Sequence, residues 1–194
     1  KRPYVILKWA ETADGFIAKE NYDSKWISNE ASRKMVHQWR AQEDAIFVGT
    51  NTAKYDNPTL NVREVEGADP IRLVIDKHLS LDPKLNLFDQ EIPTVCYNYQ
   101  QNRMEVNLEW VKIEEGQELQ SIFMDLRQRG VQSVMVEGGA VLLNTIIEMN
   151  LWDEARVFTG PTSFESGIKA PSFSGSLTTE KQIIKDILKI YIND

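Results

Sequence analysis

The chain has 194 residues, 42% of them hydrophobic, enough to bury a sizeable core in one domain. Its formal charge of -7 leaves no basic field for a nucleic-acid backbone, and no run of Lys or Arg supplies a local one. No stretch approaches the roughly 18 apolar residues of a membrane span, and Lys1-Arg2-Pro3 leads into no secretory segment, so a small-molecule partner is expected.

Tyr4-Val5-Ile6-Leu7-Lys8-Trp9-Ala10 is a near-continuous apolar run with β-branched members, the pattern of a strand covered on both faces. A helix of about three turns starts from Ser28 as N-cap, with Ala31, Met35, Val36 and Trp39 at helical spacing. Asp44-Ala45-Ile46-Phe47-Val48-Gly49 predicts a second buried strand. The polar stretch 63–69 predicts a surface loop, and short strands follow at 71–76, 93–97 and 108–113, each bounded by turn-forming residues. Cys96 lies in the middle one; as the only cysteine it cannot form an internal disulfide, which fits a reducing cytoplasm.

Leu119, Ile122, Phe123 and Leu126 mark another helix, stopped by Gly130, and 133–137 returns as a strand. The helix over 140–149 is apolar nearly all round and is expected to be buried, with a strand at 154–159 after it. The tail 183–192 predicts an edge β-hairpin or strand. Strands alternating with helices give an α/β class with a mostly parallel sheet and some antiparallel pairing near the end. Beginning at Lys1 rather than Met, the chain fits a piece of a longer polypeptide as well as a trimmed one.

Three places carry chemistry. At Val136-Glu137-Gly138-Gly139-Ala140 a strand runs through a carboxylate and two glycines into a helix, a junction suited to a phosphate because the helix's first N–H groups point outward. A tight turn with no ligand has the same sequence. In Gly49-Thr50-Asn51-Thr52, after a buried strand, Thr50 and Thr52 either meet a ligand or cap a helix. Lys8, a cation inside an apolar strand, needs a surface, a carboxylate or a ligand anion. Arg40 and Arg63 are candidate phosphate forks. His37 and His78 lack metal-ligand spacing and are assigned to packing or surface; no metal is expected. Gly-x-Gly-x-x-Gly is missing, so a dinucleotide would not bind in the Rossmann manner.

Several segments then match one pattern in order: Arg2-Pro3-Tyr4-Val5-Ile6-Leu7-Lys8, Asp14-Gly15-Phe16-Ile17-Ala18, Ser24-Lys25-Trp26-Ile27-Ser28, Arg40-Ala41-Gln42, Val48-Gly49-Thr50 with Thr52, Asp56-Asn57-Pro58 with Leu60 and Arg63, Ile75-Asp76, and Val136-Glu137-Gly138-Gly139. Together they resemble the reductase domain of the bifunctional riboflavin-biosynthesis deaminase/reductase. The resemblance implies a dihydrofolate reductase-like three-layer fold with helices on both faces of the sheet. It also implies NADPH-dependent reduction of the ribosyl group of 5-amino-6-(5-phosphoribosylamino)uracil. It places Lys8, Ser24, Trp26, Arg40, Asp56, Leu60, Arg63 and Glu137 around the substrate, with Lys8 and Glu137 at the reacting end and Arg40 and Arg63 on the sugar phosphate. Ser28, Gly49, Thr50, Thr52, Asp76, Gly138 and Gly139 would line the cofactor, with Lys77 a candidate for its 2′-phosphate. A homodimer is implied, and the resemblance leaves open whether a fused deaminase domain precedes Lys1.

Thr12-Ala13 and the loop 161–167 depart from the family's usual residues, and the zinc deaminase signature is absent, so neither zinc nor deamination is expected. Two rivals remain: a dihydrofolate- or pterin-type reductase, and a non-catalytic nucleotide-binding module attached to a deaminase.

Overall fold

A computed structural model describes residues 2–24 and 27–194. In chain order it contains β1 (Tyr4–Glu11), β2 (Phe16–Ala18), α1 (Glu30–Arg40), β3 (Ala45–Gly49), α2 (Thr50–Asp56), β4 (Ile71–Ile75), β5 (Thr94–Asn98), β6 (Arg103–Glu105) and β7 (Leu108–Lys112). Then come α3 (Glu118–Gln128), β8 (Ser133–Val136), α4 (Ala140–Glu148), β9 (Glu154–Thr159), β10 (Ile168–Lys169), β11 (Ser176–Ile183) and β12 (Asp186–Ile192). Ten strands form one sheet in the order β11-β12-β9-β1-β8-β3-β4-β5-β7-β6, and β2 pairs with β10 in a separate ribbon.

The centre is parallel: β1 pairs with β8 and β9, β3 with β8 and β4, and β5 with β4 and β7. Alternation along the strands explains why both faces are covered. Val5, Leu7 and Phe47 pack on one side with Ile122, Leu126 and Leu143 of α3 and α4. Ile6, Ile46, Val48 and Met135 pack on the other with Ala53 of α2 and Trp39 of α1. Each fully buried Val, Leu, Ile, Phe or Met among them contributes roughly 1.5–3 kcal/mol. The core therefore fixes the register that brings the carboxyl ends of β1, β3, β4 and β8 to one edge, where open α/β sheets bind ligands.

Four expectations need correction or completion. Asn29, not Ser28, caps α1: its Oδ1 accepts from Ser32 N–H at 3.1 Å. The choice comes from the C-terminal hairpin, because the buried Asp186 carboxylate accepts from Asn29 N–H at 2.8 Å and Ser32 Oγ at 2.6 Å. α4 is buried on one face only. Leu142, Leu143 and Ile146 are buried while Val141 is 74% exposed, because that face borders a cleft instead of a packing layer. The tail forms a hairpin, but its first strand begins at Ser176, and β12 lies inside the sheet against β9 with β11 at the edge. Thr50–Asp56, left as loop or cap by its composition, is a helix. Among the described residues no helix is long and apolar enough to cross a membrane.

Candidate functional site

A cleft of about 800 Å³ opens at the carboxyl edge of the parallel strands. Lys8, near the end of β1, has a side chain 16% exposed, and its Nζ lies 3.9 Å from Glu137 Oε2. Glu137 follows β8, and its backbone N–H donates to Phe47 O at 2.9 Å, extending the strand by one bond and aiming the carboxylate at the cleft wall. That carboxylate, 6% exposed, is gripped in a fork by Arg40, the last residue of α1: Nε donates to Oε1 at 2.6 Å and Nη2 to Oε2 at 2.8 Å. Arg40 Nη1 donates to Asn61 O at 3.1 Å. Expected as a phosphate fork, Arg40 is bound through one N–H of each nitrogen to Glu137 and Asn61, because a carboxylate buried this deeply requires a cation, and each Nη keeps a second N–H.

The electrostatics follow from burial. Burial pushes the Glu137 carboxyl up, but the Arg40 charge and its hydrogen bonds, helped by Lys8, outweigh it and hold the group below the usual carboxylate range. Burial likewise depresses Lys8; Glu137 opposes the shift and Arg40 adds to it, leaving the ammonium a readier proton donor than an ordinary lysine. Cys96 is buried in β5, its thiol pushed up to about 12, and takes no part in the cleft.

On the far side of Glu137 the chain turns directly into the second half of the cleft. Gly138 and Gly139 have φ of +125° and +89°, in the left-handed region that side chains rarely adopt. A Cβ on Gly139 would make only van der Waals contact, with Thr52 Oγ1 at 3.4 Å and Gly49 Cα at 3.6 Å, so it is the positive φ that reserves this cradle for a bare backbone. α4 starts from Gly139 without a side-chain cap, and α2 likewise starts from Gly49, so both present backbone N–H groups at this edge. Thr50 Oγ1 donates to Ile75 O at 2.6 Å, tying α2 to the end of β4. This cradle fits a dinucleotide pyrophosphate.

Ser24, Ser28, Gly49, Thr50, Thr52 and Asp56 all line the same cleft, as do Leu60, Arg63, Gly138 and Gly139. Ser24 Oγ lies 3.4 Å from each Asp56 carboxylate oxygen, beside Tyr22 and Tyr55 stacked at 4.2 Å. Arg63 is exposed at the rim, its Nη1 donating to Asn61 Oδ1 at 3.1 Å. Trp26 falls outside the described residues.

Asp76 is a correction, because it does not line the cleft. It is 2% exposed, and its carboxylate accepts from Ser80 N–H and Oγ and from Leu81 N–H, so it builds the turn after β4. Lys77 does line the cleft, but its Nζ donates to Glu118 Oε1 at 2.7 Å. The hydrogen bonds from Lys77 and Tyr99 hold Glu118 down at about 2. The atypical loop 161–167 is tied down by Asp14, which accepts from Phe164 and Glu165 N–H, and Ile168, right after it, lines the cleft.

His37 was assigned to packing or surface. It is buried, 3% exposed, yet lines the cleft, and its Nδ1 has no hydrogen-bond partner among the described residues. Its place three residues before Arg40, on the same helical face, was the available signal. Among the described residues no group of three or more His, Cys, Asp or Glu is placed to hold a metal ion.

A family model described as the RibD C-terminal domain matches residues 3–183. The riboflavin biosynthesis protein RibD of Aquifex aeolicus is 33% identical over 174 residues, covering 87% of this chain and 49% of that protein. The 2,5-diamino-6-ribosylamino-4(3H)-pyrimidinone 5′-phosphate reductase of Archaeoglobus fulgidus is 31% identical over 188 residues, covering 88% of this chain and 85% of that protein. The crystal structure of a diaminohydroxyphosphoribosylaminopyrimidine deaminase/5-amino-6-(5-phosphoribosylamino)uracil reductase from Thermotoga maritima has a TM-score of 0.87 and 27% identity, covering 98% of this chain and 56% of that one. A dihydrofolate reductase from Enterococcus faecalis shares the fold, with a TM-score of 0.59 and 13% identity over 98% of this chain and 97% of that one. The chain spans about half the length of the RibD relatives it matches.

Proposed function

The chain belongs to the RibD C-terminal domain family, and from that membership we propose that it reduces the ribosyl group of 5-amino-6-(5-phosphoribosylamino)uracil to a ribityl group at the expense of NADPH. One observation carries the reading: Glu137, Gly138 and Gly139 are consecutive, so one strand end serves both halves of a single cleft. Its carboxylate anchors Lys8 and Arg40 on one side, and its glycines form the phosphate cradle on the other. A hydride donor and a charged, hydroxylated acceptor can thus be held at adjacent positions.

Opening of the ribosylamine ring gives a C1′=N imine and a free hydroxyl. Bound, the dihydronicotinamide supplies the hydride that reduces C1′. The exocyclic nitrogen must take one proton, and we assign its donation to Lys8. Its ammonium is destabilised by burial, and when it loses the proton it leaves behind a neutral Arg40–Glu137 pair. The protein holds the reacting groups in register and forms no covalent bond.

The test is absorbance at 340 nm with the uracil substrate, with its 2-amino pyrimidinone counterpart, and with dihydrofolate, each with NADPH and NADH. Oxidation of NADPH by the uracil compound and none by dihydrofolate is expected. No oxidation with either phosphoribosyl compound would instead support the non-catalytic module. If Lys8 is the proton donor, kcat/KM falls as pH rises through a lysine midpoint below the ordinary one, since the neutral amine cannot give a proton. Lys8→Arg should lose that alkaline limb and slow reduction by about 10²–10⁴-fold; retention of both would end the assignment.

A further inference from the structure

The turn after β2 holds a tyrosine where the backbone does not favour one. Lys19 N–H donates to Asp23 O and Tyr22 N–H to Lys19 O, both at 2.9 Å, so the chain reverses within residues 19–23 and leaves Tyr22 at φ +68°. A side chain in this left-handed region costs free energy that glycine avoids. The compensation is its ring, which lies flat on Tyr55 of α2, with 4.2 Å between centroids and 1° between planes. Lys54 Nζ sits 5.5 Å from the Tyr55 ring centre. Neither ring belongs to the packed core and Tyr55 is 49% exposed, so the stack encloses little and contributes little to holding the fold. Both rings line the cleft.

Ser24 comes two residues after one ring and Asp56 directly after the other, and Ser24 Oγ lies 3.4 Å from both Asp56 carboxylate oxygens. That distance is at the long limit for a hydroxyl–carboxylate bond, so it does not hold the two segments together by itself. The base of the turn is fixed by the pairing of β2 with β10, which leaves the distance from its tip to α2 to the rings. Building on the reductase reading, we propose that the Tyr22–Tyr55 stack is a clasp that positions Ser24 and Asp56 for the phosphoribosylaminopyrimidine, holding the turn against α2 so that both side chains face the compound together. The rings act through their neighbours and are positioning residues. Unclasped, the turn relaxes from its strained backbone and Ser24 leaves Asp56, so only the clasped fraction binds at full strength and the apparent affinity falls by that fraction. An aromatic pair shifts an equilibrium by about 2- to 12-fold, which is the ceiling on what the clasp gives to substrate binding. NADPH, assigned to the glycine cradle, gains nothing from it.

The test is calorimetric binding of 5-amino-6-(5-phosphoribosylamino)uracil with no cofactor present, so that nothing turns over, to the parent protein, Tyr22→Ala, Tyr55→Ala, the double variant and Tyr55→Phe. Each single alanine variant should bind the compound about 2- to 12-fold more weakly. The double variant should be no weaker than either single one, because all three lose the same contact. Tyr55→Phe should bind like the parent, since a phenyl ring still stacks, and NADPH affinity, read by nicotinamide fluorescence, should be the same throughout. Parent affinity in Tyr55→Ala, losses that multiply in the double variant, or Tyr55→Phe as weak as Tyr55→Ala would overturn the clasp. So would a loss confined to the unfolding midpoint, which a purely structural stack predicts. The two readings fail separately. A parent that binds the compound through the clasp yet never oxidises NADPH with it keeps the clasp and sinks the reaction, full turnover with Tyr55→Ala binding like the parent does the reverse, and no binding by the parent ends both.

Discussion

Arg72 in β4 and Arg40 at the end of α1 each meet a carboxylate through two nitrogens. Arg72 is fully buried and donates to Asp89, to the carbonyl oxygens of Asn86 and Ile92, and to Thr94 Oγ1. Its acceptors are loop and strand-end groups of the fold itself, so the charge fastens the segment around 86–92 to the sheet. Arg40 meets Glu137 and one carbonyl, and that pair forms a wall of the cleft, 3.9 Å from a lysine whose ammonium is destabilised. The two ion pairs look alike residue by residue. What separates a fastening from a functional group is what surrounds the pair: backbone acceptors and packing in one case, open space and a second cation in the other.

The largest effect should come from breaking the fastening. Asp89→Ala leaves Arg72 charged in the interior without its carboxylate, and denaturant titration should show about 3–5 kcal/mol less stability. The Michaelis constants of the remaining folded protein should not change, and a rise in substrate KM would show that the two arginines are not separate in role. The next effect tests the cleft side. Arg63→Ala removes a charge-assisted contact worth about 1.5–3 kcal/mol, so KM for the phosphorylated substrate should rise roughly 10- to 150-fold while unfolding is nearly unaffected. Unchanged KM would remove Arg63 from the phosphate. The smallest effect concerns the cradle. Gly139→Ala puts a side chain at φ +89° and lines the cradle with a methyl group, costing about 1–2 kcal/mol and weakening NADPH binding, as measured by nicotinamide fluorescence. Equal binding in the variant would place the dinucleotide elsewhere.

Much of the scaffold was legible because periodicity carries it. β1, β3 and β8 are short apolar runs that can only sit between two covered faces, and their ends announce Lys8, Gly49 and Glu137 as neighbours along one edge. The double glycine after Glu137 was equally readable, since few residues tolerate that turn. Ser28 was the harder case. It and Asn29 are both good capping types, and the decision belonged to Asp186, more than 150 residues away. α2 escaped because it is short and polar on most of its surface, and its one buried residue, Ala53, gives no period to read. Asp76 was placed beside the cofactor by the family resemblance alone, yet its carboxylate accepts from Ser80 and Leu81 in its own turn.

The sequence by itself determined the alternation of strands and helices, the edge where they converge and the inventory of charged groups placed there, because each follows from local spacing and the cost of leaving apolar surface in water. Only the tertiary structure decided how those charges are paired. Arg40 is bound to Glu137, Lys77 to Glu118 and Arg72 to Asp89, while His37 Nδ1 has no hydrogen-bond partner among the described residues. The reason is physical: the worth of a charge depends on its distance to the next one and on the solvent excluded between them. Neither quantity exists until the chain is folded.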